Sequence, residues 1–514
     1  MENLPGALVS ACLVAGLGTT VQAQQMSQAD PLPHFEVGEC PFDSSSIDVE
    51  GLRCGYLIVP ENREMESGRI LRLAVAIAEP SGATGDPVVL LPGGPGDAPL
   101  PGWIARVRQW IPSDRTLVVF DPRGTGYSGP VMCPELNETQ SAIAALDLSI
   151  EEERLLRRGA DLACRDVLLR RGIDLGAYNS TTVALDLIDL RRALGYAQWN
   201  IMSGSYGVPF ARAAKRLDPE GIRSAVLAVG TPPDLTDLLR RDVPFRAHAL
   251  DRVFQGCAAE PACRALYPDL EEAFYRVGRS FRAEPLTVPV DPERFRSPTF
   301  TVSSQDYLAM IGGLLPLATE VPHIPALVRA FDERDVDVVR KVVERHYGGL
   351  SFMNWSFGMA NLVMCYDAHT PRSRAEWREA AAPYPRELAE VVEWLQPCED
   401  WHEERASEEE RRPHRSTIPA LVISGEFDPT SHPVVGEEQL RWLPTGYHVV
   451  IPGMGHVPTS RSAACLGTLI EQFMEEPGRR PDDSCTEELP QVKIGPDLPD
   501  WAQPAPTLCS QPRG

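Results

Sequence analysis

Several things this sequence lacks narrow its chemistry at once. It has twelve cysteines but no C-x-x-C pair, so zinc ribbons and thioredoxin-like redox centres are missing their motif. No Walker A pattern occurs. His402-Glu403-Glu404 falls short of a zinc-protease motif because Ala406 stands where the second histidine would be needed. No metal and no cofactor is therefore expected. Positive charge is scarce: 49 Lys and Arg face 72 Asp and Glu, a formal net charge of -23. A surface this acidic repels phosphate backbones and anionic membranes, which excludes nucleic acid as a partner. The apolar run from Leu8 to Gly18 is too short to span a bilayer, and no internal repeat is visible.

The 514 residues exceed what one hydrophobic core usually organises, so a domain with a large insertion is expected. Leu8–Gly18 followed by Val21-Gln22-Ala23 reads as an export signal over residues 1–23, although no Lys or Arg precedes the run and Glu2 is the only charge there. Val9-Ser10-Ala11-Cys12 resembles a lipoprotein box, but Cys12 lies too near the start. Beyond Cys12, the cysteines fall as near neighbours: Cys40 and Cys54, Cys133 and Cys164, Cys257 and Cys263, Cys365 and Cys398, Cys465 and Cys485, with Cys509 left over. Disulfides in a secreted or periplasmic protein are the reading this supports; spacing does not fix their connectivity, and neighbour pairing is the simplest guess. Oligomeric state is not legible.

Short apolar runs closed by glycine and proline mark buried strands: Tyr56–Val59, Ile70–Ala78, Val88–Leu91 and Thr116–Phe120. Helical spacing over Thr181–Leu194 ends at Gly195. A strand at Trp199–Met202, a helix at Val208–Leu217 and a strand at Ile222–Val229 follow. This alternation predicts a doubly wound, mostly parallel α/β sheet. The pattern breaks at Gly230-Thr231-Pro232-Pro233-Asp234. Residues 235–413 then read as an inserted, mainly helical cap. Strands at Ala420–Ile423 and His448–Ile451 and a helix at Ala463–Glu475 resume the core. The expected division is a core of residues 35–234 and 414–478, the cap of 235–413, and a tail of 479–514.

Met202-Ser203-Gly204-Ser205-Tyr206-Gly207 lies between a strand and a helix, the setting of a nucleophile elbow. The sharp turn needs small residues on either side, which Gly207 and Ser203 supply; glycine is usual where Ser203 stands. A serine hydroxyl attacks only when a base takes its proton, and an acid must orient that base. Asp428, in Gly425-Glu426-Phe427-Asp428-Pro429-Thr430, and His456, in Pro452-Gly453-Met454-Gly455-His456, each follow a strand, in the chain order of the α/β-hydrolase fold. His432 is too close to Asp428 along the chain, His448 lies within a strand, and Glu426 is the rival acid. The oxyanion donors are expected at the Tyr206 N–H and, in Pro92-Gly93-Gly94-Pro95-Gly96, at Gly94 with Gly93 as alternative; Pro95 has no N–H. Gly124-Thr125-Gly126-Tyr127-Ser128-Gly129 matches G-x-G-x-x-G, but Pro130 and Cys133-Pro134 do not open a helix for a pyrophosphate, so it reads as a structural turn.

Taken together, Pro92–Gly96, Asp121-Pro122-Arg123-Gly124-Thr125-Gly126-Tyr127-Ser128-Gly129, Gly204-Ser205-Tyr206-Gly207 and the Asp428 and His456 loops resemble the proline iminopeptidase and tripeptidyl-aminopeptidase-like family, and Cys54-Gly55-Tyr56-Leu57-Ile58-Val59-Pro60 resembles its exported branch. The resemblance covers roughly Cys40–Asp234 and Pro419–Met474, and in the cap only Met364-Cys365-Tyr366-Asp367. It implies release of an N-terminal residue or short peptide from a peptide substrate. An esterase or small-amide hydrolase using the same residues, and an inactive binding protein of the same fold, are the alternatives. An aminopeptidase needs a cap carboxylate for the substrate's ammonium, and Asp367 is the candidate.

Overall fold

The computed structural model describes residues 31–503 except 66–67, 84, 296, 349–354, 371, 391–397 and 402–403. The expected leader, Cys12 and Cys509 lie outside the described residues. Eleven strands are present among them: β1 (His34–Gly38), β2 (Leu52–Pro60), β3 (Ile70–Ala78), β4 (Gly85–Leu91), β5 (Arg115–Phe120), β6 (Trp199–Gly204), β7 (Ile222–Ala228), β8 (Leu286–Pro289), β9 (Thr299–Val302), β10 (Ala420–Gly425) and β11 (Gly446–Ile451). Nine form one sheet in the order β1-β2-β3-β5-β4-β6-β7-β10-β11. The pairs β1–β2, β2–β3 and β3–β5 are antiparallel, and every pair from β5 through β4, β6, β7 and β10 to β11 is parallel. The chain passes from β4 to β5 on one side and returns to β6 on the other. The carboxyl end of β4 is thus a topological switch point, where open α/β sheets hold their ligands.

Alternation along each central strand feeds two cores. Val89 and Leu91 join Phe120, Ile201 and Phe210 on one face, while Val88 and Leu90 join Val119, Met202, Ile423 and Phe473 on the other. Burying each such side chain contributes about 1.5–3 kcal/mol, which fixes strand register because a one-residue slip would expose the whole set. The helix expected at Thr181–Leu194 runs Ser180–Ala193. Asn179 and Thr182 cap it reciprocally, and Gly195 takes φ +77 just after it.

A second core lies apart from the sheet: Val253, Phe274, Phe281, Tyr307, Phe331 and Val339 pack together from helices spanning Asp242–His346. Three features differ from the sequence reading. Cys133-Pro134 does open a helix, Pro134–Ala144. Strands β8 and β9 form an antiparallel hairpin among the helices of residues 235–413. The helix Phe357–Asp367 packs Met359, Leu362 and Val363 into the sheet-side core, not the second core. Five disulfides join the cysteines as near neighbours: 40–54, 133–164, 257–263, 365–398 and 465–485. Among the described residues no helix is long and apolar enough to cross a membrane, and no cluster of three His, Cys, Asp or Glu could hold a metal ion.

Candidate active site

Ser205 ends the turn between β6 and the helix Gly207–Leu217 and holds φ 53, a left-handed backbone rare for a residue with a side chain. Such strain persists only where packing over-determines it. The Ser205 N–H donates to the Ala228 carbonyl and its own carbonyl accepts from Val208 N, at 3.0 and 3.1 Å. A Cβ on Gly207 would lie 2.4 Å from the Leu91 carbonyl oxygen, so only glycine lets this helix start so close to β4. Ser203 takes the position two before the turn and spends its hydroxyl on the Val226 carbonyl, at 3.0 Å. That bond explains how serine substitutes there for the usual glycine.

Asp428 and His456 come from the loops after β10 and β11, and the structure brings both to Ser205. His456 Nδ1 lies 2.8 Å from Asp428 Oδ2, and His456 Nε2 lies 2.9 Å from Ser205 Oγ. Asp428 is 2% exposed, and its Oδ1 accepts the N–H groups of Thr430 and Ser431, both at 2.8 Å. A carboxylate only accepts, so Nδ1 carries the proton and Nε2 is left to accept from the serine hydroxyl. Burial opposes a charge on His456, but the charge and hydrogen bond of Asp428 outweigh it, and the imidazole pKa is raised above its ordinary value.

The competing residues are engaged elsewhere. Glu426 accepts from Arg252 at 2.5 Å and from Gly453 N at 2.8 Å. His448 bonds Ser424 Oγ at 3.0 Å, and His432 stacks on Phe245 with ring centroids 5.3 Å apart. Gly124–Gly129 forms a turn gathered around Asp121, whose carboxylate accepts from Leu100 N and Tyr127 N at 3.0 and 2.8 Å.

The glycine loop after β4 faces the nucleophile. A Cβ on Gly93 would lie 2.9 Å from Ser205 Cβ, and Gly94 follows at φ +113. Tyr206 stands at the N-terminus of the helix Gly207–Leu217, where the first N–H groups have no intrahelical acceptor and the helix dipole favours an anion. A cavity of about 450 Å³, lined by residues that include Asn137, Glu293, Arg294, Tyr347, Trp355 and Ser356, adjoins the site through Trp355 and Ser356 and includes none of Ser205, His456 or Gly94 in its lining. The ring of Trp355 approaches to 3.2 Å from where a Gly94 Cβ would stand. Pro316 also reaches the site, its carbonyl accepting from Val457 N at 3.2 Å beside His456.

Asp367, the candidate for the substrate's amine, is placed behind the nucleophile turn against Ser180 and Tyr206. It is 3% exposed and does not line that cavity. Its Oδ2 accepts the Ser180 hydroxyl and, at 3.0 Å, the Tyr206 hydroxyl, while Ser180 N approaches Oδ1 at 3.4 Å. Burial pushes its pKa up to about 6 against the lowering effect of those hydrogen bonds. Ser180 and Trp355 escaped the sequence reading because nothing local to them signals a site.

Fold and residue constellation together define an α/β hydrolase. The alpha/beta hydrolase fold family matches residues 86–310, and a second family, TAP-like protein, matches residues 385–485. The fold is that of the α/β hydrolases, and the later match is to the TAP-like family. It is 22% identical over 467 residues to "Putative hydrolase YuaR" of Escherichia coli, covering 84% of this chain and 88% of that one. It is 30% identical over 187 residues to a tripeptidyl aminopeptidase of Streptomyces lividans, covering 34% of this chain and 35% of the relative. It is 27% identical over 283 residues to the serine protease Hip1 of Mycobacterium tuberculosis, covering 50% and 52%. These last two matches thus span about a third and about half of the relatives' lengths.

Proposed function

We propose that this protein is an exported serine hydrolase that removes N-terminal residues or short peptides from peptide substrates. The observation that carries the proposal is the unbroken relay from Asp428 through His456 to Ser205, set on a strained strand-to-helix turn. In the proposed reaction, Ser205 Oγ attacks the scissile carbonyl as His456 Nε2 takes its proton. Asp428 stabilises the imidazolium that forms. The carbonyl oxygen becomes an oxyanion held by the Tyr206 N–H and a donor of the glycine loop, assigned to Gly94 with Gly93 as alternative. His456 then protonates the leaving amine, and the C–N bond breaks to leave an ester on Ser205. Water, deprotonated by His456, attacks that ester, and the proton returns to Ser205 as the acyl–oxygen bond breaks. The raised pKa of His456 suits a group that must hold a proton between these steps.

Residues 235–413 act in this proposal as a cap over the core of residues 35–234 and 414–478. The N-terminal part of the substrate occupies the cavity that holds Trp355, where Glu293 is the candidate carboxylate for its ammonium in place of Asp367. The TAP-like segment and the peptidase names of two relatives favour this reading over a simple esterase. Export is supported by five disulfides, which persist in oxidising compartments.

The test is a panel of aminoacyl and tripeptidyl p-nitroanilides beside p-nitrophenyl esters, each peptide with a free or acetylated amine. Acetylation is expected to lower kcat/KM by about 10-fold, since it removes the charge that the exposed Glu293 carboxylate meets. Equal rates on free and acetylated peptides would defeat the aminopeptidase reading and leave the esterase one.

A further inference from the structure

The helix Phe357–Asp367 touches both halves of the proposed oxyanion hole, although it lies more than a hundred residues from either in sequence. At its N-terminal end, Ser356 N donates to the Gly96 carbonyl at 2.9 Å, and Trp355 pairs with Asp97 in an antiparallel bridge. A Cβ on Gly96 would lie 2.3 Å from the Ser356 carbonyl oxygen and 3.3 Å from Ala360 Cβ, so the glycine loop sits directly against the start of this helix. At the C-terminal end, Asp367 holds the hydroxyl of Tyr206, the residue whose N–H follows the nucleophile. The Cys365–Cys398 disulfide ties that end to the chain beyond.

We propose that the helix Phe357–Asp367 braces the oxyanion hole, with Asp367 as a positioning residue that fixes the Tyr206 N–H through its ring hydroxyl. This rests on the serine-hydrolase reading above. Tyr206 is 2% exposed, and its ring is held at one edge by Phe210, with centroids 5.7 Å apart, and at its tip by Asp367. Burial keeps the phenol protonated far beyond its ordinary range, so it remains a donor to the carboxylate. The Ser180 hydroxyl donates to the same Oδ2 atom and fixes the carboxylate in turn. The backbone on either side of Tyr206 is the strained turn itself, with Ser205 at φ 53, so a ring released at its tip loses a restraint where the turn can relax. A donor must meet the developing oxyanion within a few tenths of an ångström, and a shift of ~1 Å costs up to ~100-fold. Asp367 therefore does not touch the substrate; it acts through Tyr206.

The experiment compares Asp367→Leu, Tyr206→Phe, their double variant, Asp161→Asn and Ser205→Ala. Leucine matches asparagine in shape but offers no acceptor; asparagine would keep its carbonyl oxygen on both hydroxyls. Asp161 is the control: its carboxylate accepts from Asn361 on the same helix at 3.3 Å and contacts neither Tyr206 nor the glycine loop. Three quantities are read: kcat and KM on a p-nitrophenyl ester, the rate of labelling by an alkyl fluorophosphonate whose phosphoryl oxygen enters the oxyanion hole, and thermal unfolding. Asp367→Leu and Tyr206→Phe are each expected to lower kcat and the labelling rate about 10- to 100-fold with KM little changed. The double variant is expected to be no worse than the poorer single, because both remove one contact. Asp161→Asn is expected to keep kcat. Should Asp367→Leu not fold, Tyr206→Phe carries the test alone. An inert Ser205→Ala beside near-normal kcat and labelling in Asp367→Leu or Tyr206→Phe would overturn the brace and leave the hydrolase reading standing. Losses that multiply in the double variant, or an equal kcat loss in Asp161→Asn, would also overturn it. A Ser205→Ala variant with full activity would overturn the hydrolase reading on which the brace depends.

Discussion

Replacing Asp428 with asparagine should silence the enzyme while leaving its fold almost untouched, and the reason lies in which atoms hold the side chain. Oδ1 accepts from Thr430 N and Ser431 N, both at 2.8 Å, and these backbone donors cannot face an amide NH₂. The asparagine side chain must therefore turn its carbonyl oxygen to them and its NH₂ to His456 Nδ1. A donor at that position forces Nδ1 to accept, which puts the imidazole proton on Nε2, 2.9 Å from Ser205 Oγ. A protonated Nε2 cannot take the serine's proton. The base is blocked by tautomer with every distance preserved, and loss of the right tautomer costs about 10⁴ in kcat, or about 5.5 kcal/mol of barrier. Stability should change little, since both backbone bonds survive and no cavity opens. Steady-state kinetics on a p-nitrophenyl ester, with thermal unfolding alongside, checks both halves. A variant within tenfold of wild-type kcat would refute the reasoning and return Glu426 as the acid.

Two further outcomes follow from the same geometry. Catalysis needs neutral His456, whose pKa is raised by Asp428, so kcat/KM should fall as pH drops through a value above the ordinary imidazole range; a limb at or below that range in the wild type would contradict the ion pair. Arg123 and Asp186 are both 0% exposed and share two hydrogen bonds of 2.7 Å, so Arg123→Met should destabilise folding by about 3 kcal/mol, measured by denaturant unfolding, because it leaves Asp186 with Arg63 as its remaining cation and strands the Glu61 and Ala177 carbonyls.

The parts of the site that were legible in the sequence are those written locally. Ser205, Asp428 and His456 each sit directly after an apolar run closed by small residues, so strand, turn and side chain are encoded within a few positions. Chain order then relates the three without any knowledge of distance. The cysteine spacing left the connectivity open; the pairs that form are the near neighbours, 6 to 33 residues apart. The cap resisted. Strands β8 and β9 are four residues each, too short for alternation to stand out from the helices around them. Asp367 was drawn to notice by its motif, but its partner Tyr206 lies 161 residues away, and only the packing of the helix Phe357–Asp367 on the sheet brings them together. A carboxylate's sequence surroundings do not tell whether it meets a ligand or a hydroxyl of its own protein.

The central claim is that Ser205 carries the acyl group during turnover. Mixing the enzyme with a p-nitrophenyl ester, quenching in acid within the first turnover and mapping peptides by mass spectrometry reads it directly. The account predicts one added acyl mass on the peptide holding Ser205, with its release in step with product formation, and none in Ser205→Ala. An acyl group on another residue, or turnover by Ser205→Ala at near-normal rate, would contradict it.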